Sequence, residues 1–531
     1  MRNFLKNWWF GLLLSACLIV FEILIALVPI LSTPPGYRWL GAGIFNTGDM
    51  AVYLNYLGQL KNSWLISNLY NNFPQALRFD TFWSLGGILV KVGASPLWAH
   101  EILRWLSIIA LAFSVYAAAK AMTRTEKQAR LTTLLVVSGL STGWLHSIWM
   151  GATHQWTPLS LAAPDLDTEL AIAPLLIGGA HMILSLALQI TALRWLWEAI
   201  REEKIYRLLP ACLCLFALSS FHPYFTPLFG IVSVMAIWPR LKAKLWHKPL
   251  LSFLGVNLSL VPWTAYYVWL MAKDPNFKTH HLQTNFLPLD PWYFWIIIIL
   301  PFLLAAYWIL KNKIPENFLW REKPKWVLAW IAAAIICMLL PFPWTRKFTQ
   351  GLVPALVLLT LPFWLMLAGK LFTKKILWPL KACLAILITF PYIHLLQTQI
   401  TMAVDPYWSK NFYRPIALFQ AWDFIQRTAP KNSLVLATDL WSNYWTPAYT
   451  LRTVWIGHNH ETPDFKSRVA PYLDWTKTQD ERIFRGYLNQ VPVTQVIATT
   501  PSDVQRLKTL MDQNKWLLSF QNDSAAVWQR K

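Results

Sequence analysis

Several polar groups in this chain are of types, and at spacings, that could do chemistry. Asp49, in NTGDMAVYLNYLGQ, stands just after an apolar block in a stretch dense with Tyr53, Tyr56, Trp64, Tyr70 and Gln75. A lone acid ahead of MAVYLNYL reads as a helix N-cap, its oxygen accepting from an orphan backbone N–H, with a chemical role as the alternative. In WTPLSLAAPDLDTELAIAPLLIGGAH, Asp165, Asp167 and Glu169 precede His181. Acids two apart can share a face of an extended segment and meet a divalent cation, or they are solvated loop acids. In PFPWTRKFTQG, the adjacent Arg346 and Lys347 suit an anionic partner such as a phosphate, for which Arg is a bidentate donor, or a lipid headgroup. In WIGHNHETPDF, His458 and His460 lie two apart with Glu461 behind them. Such a pair can ligate a metal, but two ligands do not make a site, and loop packing is the simpler reading.

The elements that must position these residues are set by composition. Of 531 residues, 56% are hydrophobic and only 14% charged, with 33 Trp, which is the composition of a membrane protein. The net charge of +21 comes from short basic clusters between apolar runs, a pattern that fits the positive-inside rule and not a nucleic-acid partner. Five cysteines, Cys17, Cys212, Cys214, Cys337 and Cys383, all lie in apolar runs, so neither a disulfide framework nor a zinc ribbon is implied.

About eleven apolar stretches are long enough to span, or to span as helices broken inside a bundle. They cover 9–31, 96–121, 130–148, 173–199, 207–220, 223–238, 249–272, 291–310, 326–341, 349–369 and 376–397. The first has a basic start and no cleavage signal, and reads as an uncleaved span. Positive residues collect on alternate loops, for example Arg124, Lys127 and Arg130, or Lys370, Lys374 and Lys375. The N-terminus is therefore expected in the cytoplasm, with the first outer loop (32–95) and everything after 398 outside. The short segment 81–94, TFWSLGGILVKVGA, is expected to be an interfacial or re-entrant helix, since counting it as a span would invert every later loop.

From about residue 410 strands alternate with helices, which predicts a small extracytoplasmic α/β domain over 401–531 after a transmembrane domain over 1–400. It carries no GxGxxG and no P-loop, so nucleotide binding has no support. On this topology nearly all histidines fall at the outer face. His222 joins Asp165, Asp167, Glu169, His458 and His460 as an acceptor-binding or metal-ligating candidate. Glu22 lies mid-span, where an isolated charge costs about 2.5 kcal/mol or more; Arg104 is at similar depth, and a structural ion pair is expected, with Glu101 one turn away.

A short cytoplasmic tail, one span, a long outer loop opening with an acid, many further spans and an outer C-terminal domain together resemble the polytopic GT-C glycosyltransferases. GDMAVYLNYLGQLKNSWLISNLYNNFPQ and YTLRTVWIGHNHETPDF are also similar to segments of an uncharacterised group of bacterial membrane proteins related to that superfamily. The resemblance implies an all-α polytopic membrane bundle with a small C-terminal α/β domain, in a bacterial plasma membrane. It implies sugar transfer, with inversion, from a polyprenyl-phosphate donor to a glycan, lipid or protein acceptor. Asp49 matches the first-loop general base; Arg346, Lys347 and His181 are the candidates for the phosphate. Some members carry a second acid beside the base, where this chain has Met50, and some use a metal, so a divalent cation is left open here. The alternatives are a catalytically inactive glycan- or lipid-binding membrane protein and a transporter. The transporter is disfavoured because polar residues gather at the outer surface instead of the midplane.

Overall fold

The computed structural model describes residues 2–41, 43, 47–72, 74–140, 153, 170–202, 205–242, 247–274, 277–278, 293–312, 325–341, 343–373, 378–512 and 515–531. Asp165, Asp167 and Glu169 lie outside the described residues, as does the end of the stretch expected to span 130–148. The chain falls into two compact units, each made of discontinuous segments.

The first unit comprises Met1–Ile25, Leu103–Trp269 and Asn285–Thr398. Among the described residues, helices occupy the stretches expected to span. In chain order α1 is Arg2–Leu31, α4 Pro96–Met122, α5 Glu126–Ser138, α6 Ile172–Ile177, α7 Ala180–Glu202, α8 Leu208–Ser219, α9 Thr226–Lys242 and α10 His247–Lys273. There follow α11 Tyr293–Lys311, α12 Lys325–Leu339, α13 Leu352–Leu359, α14 Leu361–Thr373 and α15 Trp378–Val404. Among the described residues, the helical stretches Asn7–Leu31, Pro96–Met122 and Ala180–Ile200 are each long and apolar enough to cross a membrane.

Two expected spans are not single straight helices. The stretch 173–199 breaks into α6 and α7 at Gly178 and Gly179, where the missing side chains make a helix costly to continue. The stretch 349–369 breaks at Thr360, with 56° between its arms. Pro362 has no N–H to continue the ladder, and Thr360 Oγ1 bonds back to the Leu356 carbonyl at 2.7 Å.

The second unit comprises Ala26–Ile102, Leu270–Thr284 and Gln399–Lys531. It holds α2 (Thr47–Leu60) and α3 (Thr81–Lys91), then α16 (Ile416–Thr428), α17 (Leu440–Thr450), α18 (Phe465–Lys477), α19 (Glu481–Gln490) and α20 (Pro501–Leu510). A ribbon pairs β1 (Tyr37–Trp39) with β2 (Tyr413–Pro415) in antiparallel register. The main sheet has five strands, β3 (Leu434–Ala437), β4 (Thr453–Val454), β5 (Gln495–Ala498), β6 (Trp516–Gln521) and β7 (Ala526–Arg530), in the order β4-β3-β5-β7-β6. β4, β3 and β5 run parallel, and β7 and β6 are antiparallel additions.

β3 (LVLA) and β5 (QVIA) are buried at every position, as expected of parallel strands covered on both faces. Leu436, Ile456, Tyr472, Trp475, Phe484 and Trp528 form the core around them. The helix α17 is not expected from the sequence, where its aromatic residues and Pro447 hide the periodicity. Asp439 starts it by capping, its side chain accepting from Ser442 N at 2.9 Å.

Candidate functional site

The sequence candidates divide between the units. Asp49, His458 and His460 belong to the second; His181, His222, Arg346, Lys347, Glu22 and Arg104 belong to the first.

In the second unit, Asp49 lies in the first turn of α2, which begins at Thr47. The acid is therefore inside the helix and not at its N-cap, and its charge complements the positive end of the helix dipole. α2 packs on α17, and their approach depends on Gly48: a Cβ there would lie 2.9 Å from the Tyr444 ring and 3.2 Å from His458.

This close packing brings Asp49 to His458. β4 ends at Val454, and the chain then turns through 457–462, which is fastened by its own hydrogen bonds. Gly457 N donates to Thr462 Oγ1 at 3.1 Å and Thr462 N to the His458 carbonyl at 2.8 Å. The His460 N–H donates to His458 Nδ1 at 3.2 Å, so that nitrogen carries the lone pair. In the neutral ring Nε2 then carries the proton and donates to Asp49 Oδ1 at 2.9 Å. With both ring nitrogens engaged, His458 has no lone pair left for a metal. Its side chain is 5% exposed whereas that of Asp49 is 34% exposed, so a fixed imidazole holds a solvent-facing carboxylate.

The surroundings keep this pair rigid. The His458 ring packs 5.2 Å from Tyr444 and 6.0 Å from Tyr70, and Tyr70 Oη donates to the Tyr444 carbonyl at 2.8 Å. The Tyr444 hydroxyl accepts from Asn459 N at 3.0 Å, and burial pushes its pKa up to about 12.

The same turn carries Glu461 into a second polar chain. Tyr56 Oη donates to Glu461 Oε1 at 3.1 Å and accepts from Arg78 Nη1 at 3.1 Å, and Arg78 Nη2 reaches Asp80 Oδ2 at 3.0 Å. Burial, followed by the neighbouring Glu461, pushes the Tyr56 hydroxyl well above its ordinary range, so it stays a donor. Burial also pushes the Asp80 carboxyl up, against the opposing pull of Arg78. Tyr56, Asn68, Gln75, Arg78 and Glu461 line a small recess in this unit. Arg78 and Asp80 were not singled out from the sequence. The available signal was Asp80 itself, which immediately precedes TFWSLGGILVK and caps α3 by accepting from Trp83 N at 3.2 Å.

In the first unit, His181 is the second residue of α7 and His222 precedes a turn of 3₁₀ helix, Pro223–Phe225; their rings meet edge to face at 5.0 Å. Arg346 and Lys347 lie, half-buried, in another such turn, Thr345–Thr349. Phe348 of that turn packs 6.4 Å from Phe225. Gln350 then ties the turn to α7, its Nε2 donating to the Met182 carbonyl at 2.7 Å while its Oε1 accepts from Ser185 Oγ at 3.3 Å. The following Gly351 has φ +80°, and a Cβ there would lie 2.5 Å from Trp330, so only glycine fits this exit. His181, His222 and the Arg346–Lys347 turn thus gather at one place in this unit. Elsewhere in this unit, Arg104 Nη1 lies 3.3 Å from Glu22 Oε1 and Trp105 Nε1 donates to Glu22 Oε2 at 3.0 Å; Glu101, which belongs to the second unit, meets His100 Nδ1 at 3.0 Å instead. Among the described residues no group of three or more His, Cys, Asp or Glu is arranged to hold a metal ion.

No protein-family model and no curated protein matches the sequence. The fold does have solved counterparts. The Archaeoglobus fulgidus oligosaccharyltransferase tethered to an acceptor peptide is similar over 93% of this chain and 69% of its own, at 12% identity and a TM-score of 0.50. ArnT from Cupriavidus metallidurans bound to undecaprenyl phosphate is similar over 97% of this chain and 98% of its own, at 11% identity and a TM-score of 0.49. The chain shares the fold of the oligosaccharyltransferase.

Proposed function

We propose that this protein is a multi-pass membrane glycosyltransferase. It moves a sugar from a polyprenyl-phosphate donor to an acceptor hydroxyl on the outer face, with inversion at the anomeric carbon. The observation that carries the reading is the Asp49–His458 contact: a partly exposed carboxylate, held by a buried imidazole N–H at 2.9 Å, at the position where the resemblance calls for a general base. The shared fold supports the class of reaction, and activity is argued from the site.

The acceptor oxygen attacks the anomeric carbon while its proton passes to Asp49; the bond from that carbon to the phosphate oxygen breaks, and the polyprenyl phosphate leaves with the electron pair. His458 orients the base and touches no reacting atom. The leaving phosphate needs fixed positive donors, a role assigned here to Arg346, Lys347 and His181. Purified protein supplied with a polyprenyl-phosphate sugar and acceptor should release polyprenyl phosphate. The Asp49→Asn variant should lose about 10²-fold or more of that rate, the usual contribution of a general base. Full activity in Asp49→Asn would overturn the assignment, and inactivity of the unmodified protein across donors would favour the glycan- or lipid-binding alternative.

A further inference from the structure

A cavity of about 620 Å³ lies within the second unit at the carboxyl ends of β3 and β5, and none of the residues around Asp49 lines it. Its size is that of a small-molecule site. Its place in the topology is informative. β4 pairs on one side of β3 and β5 on the other, so the winding of the sheet reverses between β3 and β5. In open sheets of this kind, ligands bind in the crevice outside the strand ends at that reversal.

The lining is charged and incompletely satisfied. Arg414, on β2, is 8% exposed; its Nη1 donates to the carbonyls of Lys410 and Tyr413, its Nη2 is 3.4 Å from Asp439 Oδ1, and its Nε has no hydrogen-bond partner. Asp439 is already engaged as the cap of α17. Ser442, fully buried and also lining the cavity, has an Oγ without a partner. A buried orphan hydroxyl destabilises a protein unless something meets it. Lys410 adds an exposed cation, and the N-terminal ends of α17 and α20 begin here, both favouring negative charge. Trp441 and Tyr37 supply ring faces on which a compact body can lie.

We propose that this cavity binds a small organic anion, a phosphate or carboxylate carried on a sugar-sized body, with Arg414 and Lys410 meeting the charge and Ser442 Oγ donating to it. The proposal is independent of the transferase reading. The test is calorimetric titration of the full-length protein, in a detergent without a sugar headgroup, with glucose 1-phosphate, glucuronate and neutral glucose. One or both anions should bind saturably at millimolar concentration or below, and glucose should not; which anion binds tells phosphate from carboxylate. Lys410→Ala should weaken binding several-fold and flatten its salt dependence. Ser442→Ala should also weaken it, while raising the unfolding temperature of the ligand-free protein, because the orphan hydroxyl is gone. The proposal fails if neither anion saturates, if glucose binds as well as its phosphate, or if both variants bind the anion unchanged.

Discussion

Asp49 and His458 are separated by 409 residues, and nothing local in the sequence couples them. From the sequence both are expected at the outer face and Asp49 near the start of a helix, but the pairing depends on how α2 packs against α17. Gly48 and the turn after β4 create that packing, and neither has a signature outside its tertiary context. His458 and His460, spaced like metal ligands, are explained instead by a backbone N–H from one fixing the ring of the other. If His458 acts by orienting the base, its effect on rate can be bounded. A hydrogen bond to a charged group is worth about 1.5–3 kcal/mol, and the one-third exposure of Asp49 points to the low end, or roughly tenfold in rate. His458→Ala should therefore lower kcat about tenfold with KM for the lipid-linked donor unchanged, and added imidazole should restore part of it. A change in thermal stability alone, with kcat intact, would reduce His458 to a packing role.

Elements were largely legible as to where helices lie, because a bilayer imposes length and composition, and less so as to how each runs. The stretches 173–199 and 349–369 read as uninterrupted apolar runs, yet Gly178–Gly179 and Pro362 divide them, since hydropathy carries no information on backbone path. The strands of the small sheet were legible from their apolar runs, but α17 was not. How α1 and α4 are fastened follows from charge: Glu22 and Arg104 are both buried in the first unit, and an intramembrane carboxylate is costly without its partner. Replacing Glu22 with Gln keeps an acceptor for Trp105 but removes the charge that Arg104 faces. The expected loss is about 3 kcal/mol, seen as a lower midpoint in thermal unfolding. Adding Arg104→Met to Glu22→Gln should recover most of that loss, because an apolar pair no longer leaves a buried charge. Equal midpoints for Glu22→Gln and the unmodified protein would show that the pair contributes nothing to stability.

At the scale of the whole molecule, the side on which every loop lies turns on whether one short segment crosses the membrane. That segment, 81–94, forms α3, an 11-residue helix. At about 1.5 Å per residue it rises roughly 16 Å, half of the roughly 30 Å hydrocarbon core, so by length it cannot span. Asp80 caps its start while paired with Arg78, an arrangement that belongs outside the hydrocarbon. Without that crossing, the positive-inside rule leads us to expect the N-terminus inside and Asp49 outside together with the C-terminal sheet. This arrangement is open to a direct test with single cysteines in a background lacking the five native ones. Asn489 and Arg124 are both exposed, the first in α19 and the second between α4 and α5. In intact spheroplasts a membrane-impermeant maleimide should label Asn489→Cys, whereas Arg124→Cys should react only after the membrane is broken. The reverse pattern would overturn this topology: either the N-terminus lies outside, or the chain crosses once more before Pro96, which would leave Asp49 outside with the C-terminal domain inside and contradict the Asp49–His458 contact.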